Sequence, residues 1–123
     1  MTQKHHQERA YIRQMIPTLV DLEFKDGTFR YEFSANMSEN GMYLYAETPL
    51  PIGTEALVRF SVPNLDWVFE IKAKSVSAIT MTFDQRMDGK KSGHGFHFLS
   101  MDEQDQKKIK AYFQNFKMKD LEF

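Results

Sequence analysis

The sequence predicts a mainly β domain, a small antiparallel barrel or sandwich with one helix laid against it, and three observations carry that expectation. Apolar side chains recur at every second position in six or seven short runs. Gly, Pro, Asn-Gly and Asp-Gly signals break those runs at close spacing. Only the last segment switches to helical period. At 123 residues the chain is long enough for one domain with a core and short for two. With 41% apolar and 14% aromatic residues it is too rich in bulky side chains to stay unfolded.

Residues 1–18 are polar with scattered apolar positions, and Pro17 interrupts any helix begun earlier, so they read as a flexible N-terminal arm. From Leu19 the period becomes two, with Val20, Leu22 and Phe24 on one side, and Asp26-Gly27 supplies a hairpin turn. The next run sets Phe29, Tyr31, Phe33 and Ala35 against Arg30, Glu32, Ser34 and Asn36. That alternation describes a half-buried strand whose polar face is expected to point outward. Asn40-Gly41 leads into a strand over 42–46, and after Pro49, Pro51 and Gly53 the residues Ala56, Val58, Phe60 and Val62 alternate with Leu57, Arg59 and Ser61.

Beyond Pro63-Asn64, Trp67, Phe69, Ile71 and Ala73 alternate with Val68, Glu70, Lys72 and Lys74, and a further β-like stretch runs from Val76 to Phe83. Residues 84–92 are polar and read as a mobile loop. Residues 93–98 form a short closing strand with Phe96 and Phe98 on one face. Ile109, Tyr112, Phe113 and Phe116 then fall at i, i+3, i+4 and i+7, one apolar stripe of a helix, and Ser100 with Glu103 reads as its capping box. The expected organisation is an arm over 1–18, a barrel with its C-terminal helix over 19–117, and a tail over 118–123.

A formal net charge of -1 offers no bulk attraction to nucleic acid, so no nucleic-acid partner is expected. No run approaches the roughly 20 apolar residues of a membrane helix, the N-terminus does not resemble a signal peptide, and there is no cysteine. A cytoplasmic protein without membrane insertion is the expectation. No thiol nucleophile, nucleophile elbow, phosphate-binding Gly-rich loop or His-Glu-x-x-His pair is present, so no catalytic residues are assigned and the chain is not read as an enzyme. His94 and His97, three apart on a strand, point to opposite faces and do not share a metal, and His5 and His6 belong to a solvated arm. No metal site is expected. Tyr43 and Tyr45 offer a stacking surface of the kind single-stranded nucleic acids use, but no basic groove surrounds them in the sequence.

Two clusters remain. Arg9 and Arg13 are four apart and can converge on one ligand, each guanidinium pairing bidentately with phosphate oxygens or lying on a base. Asn36 and Ser38 are two apart, so an extended strand projects them to the same side, and Gly41 after Asn40 marks a turn where positive φ or close backbone approach to a ligand is wanted. Each cluster alone also fits a bland reading, a solvated basic pair and an Asx/Ser turn.

Together, Arg9-Ala10-Tyr11-Ile12-Arg13 and Asn36-Met37-Ser38-Glu39-Asn40-Gly41 resemble the Arg-x-x-x-Arg and Asp/Asn-x-Ser-x-x-Gly segments of the PilZ family. Pro51-Ile52-Gly53-Thr54, Gly93-His94-Gly95-Phe96-His97-Phe98 and the closing helix extend the resemblance over roughly residues 8–117. It implies a six-stranded antiparallel β-barrel of the split-barrel type with a C-terminal α-helix. It implies a single-domain receptor for cyclic di-GMP, taken singly or as an intercalated pair, with no other cofactor. By the same resemblance Arg9 and Arg13 take the phosphates and guanine faces or edges, while Asn36, Ser38 and Gly41 line the barrel against a guanine. Ligand would then order the arm across the barrel and present a surface to a protein effector. A PilZ-like adaptor that works without nucleotide is the alternative.

Overall fold

The computed structural model describes residues 14–121, with side chains through residue 115. The six strands are β1 (Leu19–Glu23), β2 (Phe29–Ser38), β3 (Gly41–Tyr45), β4 (Glu55–Phe60), β5 (Phe69–Ile79) and β6 (Gly93–Ser100). A short helix α1 (Phe83–Met87) lies between β5 and β6, and a long helix α2 (Glu103–Leu121) follows β6. The strands pair antiparallel in the order β1-β2-β3-β6-β5-β4, and β4 returns to β1, so the barrel is closed and its six strands have neighbours on both sides over at least part of their length.

Alternation places Val20, Leu22, Val58, Ile71 and Leu44 inside, each with no exposed surface. Phe60 stacks on Phe69 at 5.2 Å and on Phe98 at 6.1 Å between centroids, filling one end of the barrel. Helix α2 closes that end with Ile109 and Phe113, both buried. It is also pinned by polar contacts: Trp67 Nε1 donates to Asp105 Oδ1 at 2.8 Å, Lys108 Nζ lies 4.5 Å from the centre of the Trp67 ring, and Tyr112 donates to the Pro63 carbonyl at 3.0 Å. Phe116, the last member of the predicted stripe, lies outside the described side chains.

Several expectations change. In β2 the aromatic side chains face outward, Tyr31 at 64% and Phe33 at 59% exposure, while Glu32 and Ser34 are buried. The polar face therefore points inward over the first part of the strand. The physical reason is a bulge: the register passes from Ser34↔Leu44 to Asn36↔Tyr43, leaving Ala35 extra, so even-numbered residues face in before it and Met37 faces in after it. The inward polar groups are satisfied. His94 Nδ1 accepts from the Leu50 N–H at 2.9 Å, which leaves the proton on Nε2 to be donated to Glu32 Oε1 at 2.6 Å, and Arg30 reaches the other Glu32 oxygen at 2.9 Å.

The two β-like stretches after Trp67 join in one strand, β5, which ends at Ile79 rather than Phe83 and whose pairing with β6 shifts register between Lys72 and Ala73 and again between Ser75 and Ser77. The polar segment after it contains α1, whose N-cap Thr82 forms a reciprocal capping box with Gln85, hidden in the sequence by the lack of an apolar stripe. At α2 the capping contact comes from Asp102, whose Oδ1 accepts the Asp105 N–H at 2.8 Å, in place of Ser100, which belongs to β6.

Candidate functional site

The turn between β2 and β3 is built by its own polar atoms. Ser38 pairs with Gly41 across the turn, Ser38 Oγ accepts the Asn40 N–H at 3.2 Å, and the Asn40 carbonyl accepts the Phe98 N–H at 2.8 Å. Gly41 does not have positive φ. Its need is close approach of the protein's own backbone rather than of a ligand: a Cβ there would stand 2.2 Å from the Phe96 carbonyl oxygen. Backbone blocks the space, so no side-chain rotation relieves it.

Asn36 is half-buried and lines a groove of about 330 Å³ with Asn40, Gly41, Tyr43, Ser77 and His97, drawn from β2, β3, β5, β6 and the turn. Ser38 is fully buried and does not line this groove; it supports the turn from beneath. Asn36 and Ser38 thus meet different surroundings despite their spacing. Tyr43 lies across β6, where a Cβ on Gly93 would meet its Cε2 at 2.6 Å, so the ring uses the space that a side chain would occupy. Burial raises the Tyr43 phenol above its usual range and the neighbouring Tyr45 adds to the shift, so the ring stays neutral at physiological pH. His97 is exposed on the groove while His94 is buried, the opposite facing that the strand spacing predicts. Among the described residues no group of His, Cys, Asp or Glu could hold a metal ion.

Arg9 and Arg13 lie outside the described residues. The chain that follows them is tied closely to the candidate site: Gln14 N–H donates to the Met37 carbonyl and Met37 N–H to the Gln14 carbonyl, each at 2.8 Å. Met37 sits between Asn36 and Ser38. Further along, Ile16 is buried in the core, its carbonyl accepts from Ser34 Oγ, and Thr18 N–H donates to the same Oγ at 3.0 Å. No lysine or arginine lines the groove beside Asn36.

Sequence reasoning passed over Ser77 and His97 as groove residues and set aside Tyr43. Their only signal was strand alternation, which names a face and not the neighbours across it.

The PilZ domain pattern matches residues 7–115, and the chain belongs to the PilZ family. Solved structures show the same fold. The PilZ domain of YcgR from Escherichia coli, with c-di-GMP, superposes with a TM-score of 0.66 at 20% identity over 94% of this chain and 96% of that one. The Bacillus subtilis inhibitor of motility MotI/DgrA superposes with a TM-score of 0.73 at 14% identity over 90% of this chain and 52% of that one. The K. pneumonia MrkH-c-di-GMP complex superposes with a TM-score of 0.72 at 14% identity over 93% of this chain and 54% of that one. The chain thus spans about half the length of MotI and MrkH. No curated protein matches the sequence.

Proposed function

We propose that this protein is a non-enzymatic receptor for cyclic di-GMP that binds where its N-terminal residues meet the β2–β3 turn. The observation that carries the reading is the pair of backbone hydrogen bonds between Gln14 and Met37. Arg13 precedes Gln14 by one peptide unit, about 3.8 Å of chain, and Arg9 by five residues, at most about 18 Å. In this reading both guanidiniums come within reach of a ligand held at Asn36 and the turn. The groove itself lacks a cation, and a cyclic dinucleotide brings two phosphate charges, so Arg9 and Arg13 supply what the barrel surface does not. Asn36 and the backbone at Gly41 meet a guanine edge, Tyr43 adds a flat apolar face, and Ser38 holds the turn that presents them.

In this reading the ligand bridges residues 1–13 and the barrel, ordering the arm, and the combined surface signals to a protein effector. Among the described residues no helix is long and apolar enough to cross a membrane, in keeping with a cytoplasmic receptor. Calorimetric titration with cyclic di-GMP, with GMP and cyclic AMP as controls, tests the reading and gives the stoichiometry, one ligand or an intercalated pair. Charge-assisted contacts of about 1.5–3 kcal/mol predict that Arg9→Ala or Arg13→Ala weakens binding by roughly one to two orders of magnitude. Unchanged affinity in both variants would remove the proposed contacts. A nucleotide-independent adaptor is the second reading, favoured by the aromatic residues exposed on β2; equal partner binding with and without cyclic di-GMP would select it.

A further inference from the structure

At the end of β2 and β3 away from the Ser38–Gly41 turn, a second concave surface joins aromatic and cationic side chains. A groove of about 590 Å³ runs between Tyr31 and Phe33 on one wall and Tyr45 and Thr48 on the other. It shares Tyr45, Ala46, Glu47 and Lys91 with an adjoining groove of about 370 Å³ that Arg86 and Lys90 complete. Tyr31, Phe33 and Tyr45 are exposed at 64%, 59% and 38%, a run of aromatic surface beyond what a barrel wall needs.

The charges there are unevenly matched. Arg30 is occupied by Glu32 at 2.9 Å and the Thr48 carbonyl at 2.8 Å. Lys91 Nζ lies 5.0 Å from the centre of the Tyr45 ring, and among the described residues Arg86, Lys90 and Lys91 have no carboxylate partner. Glu47 is the remaining acid on the lining. A protein with a net charge of -1 therefore places three cations that form no ion pair, against one acid, beside an aromatic groove.

The backbone adds a further feature. β2 pairs with β3 only from Ser34 onward, so on that side no strand of the described residues runs along Phe29–Phe33. Ser34 N–H donates toward β1, to the Thr18 carbonyl at 2.9 Å, and alternation then turns the Tyr31 N–H and carbonyl toward the groove. An extended chain laid there finds backbone partners, aromatic walls and cations at once.

We propose that this groove docks an extended, acidic segment of a partner protein that carries aromatic or branched apolar side chains at alternate positions. The cations select acidic residues, and Tyr31, Phe33 and Tyr45 take the apolar ones. A strand edge without a neighbouring strand offers directional backbone hydrogen bonds that a peptide uses and a bilayer does not. Self-association through this face would bring Arg86, Lys90 and Lys91 of two copies together, at a cost in like-charge repulsion. The site is separate from the nucleotide groove and does not depend on that reading.

The test is fluorescence anisotropy of the full chain with a fluorescein-labelled heptapeptide of alternating glutamate and phenylalanine, against its lysine counterpart, with and without cyclic di-GMP. Saturable binding of the acidic peptide alone is expected. Lys90→Ala with Lys91→Ala, both exposed, should weaken it about tenfold, and Glu47→Gln should tighten it a few-fold. Arg9→Ala with Arg13→Ala should leave it unchanged in the absence of nucleotide, so failure here is distinct from failure of the receptor reading. Equal binding of both peptides, no saturable binding, or indifference to the lysine substitutions would overturn the proposal. So would sedimentation with phosphatidylserine vesicles that depends on Lys90 and Lys91 when the peptide does not bind. A dimer that Tyr31→Ser dissociates would reassign the face to a second copy of this chain.

Discussion

Single residues in this protein answer to what stands across the sheet from them. Gly41 is the sharpest case, because the 2.2 Å between a built Cβ and the Phe96 carbonyl can be relieved only by moving β3 away from β6. Gly41→Ala is therefore expected to lower the chemical-denaturation stability by about 1–3 kcal/mol and to weaken cyclic di-GMP together with it. A variant with unchanged stability would show that the turn can yield. The sequence marked Gly41 for positive φ or for close approach to a ligand, since both call for glycine. The position of Phe96, far away in the chain, supplies a different reason, a neighbouring strand too close for a side chain. Glu32 and His94 show the opposite limit: neither carried any signal of partnership, and 62 residues separate the two halves of one buried hydrogen bond.

At the scale of elements, local pattern succeeded where one physical force dominated. Strands β3, β4 and β6, the first part of β5 and helix α2 each have one face packed on the core, so apolar period alone located them. It failed at β2, where the bulge at Ala35 reverses which face is inside, and at α1, which has no buried residue. Helix α2 is held to the barrel by Ile109 and Phe113 and by the contacts of Asp105, Lys108 and Tyr112. Phe113→Ala empties a buried position and should cost about 3–5 kcal/mol in equilibrium unfolding. Loss of helical circular dichroism at lower denaturant than loss of barrel fluorescence would show that α2 detaches first; coincident transitions would show a single cooperative unit.

For the whole molecule, closure of the barrel gives a rigid platform to which Gln14 is fastened by backbone bonds and Ile16 by burial, next in the chain to the segment that carries Arg9 and Arg13. A ligand that bridges that segment and the platform binds only the folded state. Cyclic di-GMP at about 100 times its dissociation constant should then add about 2.7 kcal/mol of stability, read as a rise in Tm that GMP does not reproduce. The rise should shrink in the Arg9→Ala and Arg13→Ala variants at equal ligand concentration. No shift in the unaltered protein would set the receptor reading aside.

The chain by itself determined the β class, the core faces of most strands, the closing helix and the two short segments that mark the PilZ family. Those follow from local chemistry: side-chain period, turn residues and spaced polar groups act within a few positions of one another. What waited for the tertiary structure was every relation across the sheet: the inward turn of Glu32 and Ser34, the burial of Ser38 beneath its own turn, the carbonyl that excludes a side chain at Gly41, and the meeting of Tyr45 with Lys91. Such relations depend on register, and one added residue in a strand exchanges its two faces without leaving any mark in the composition.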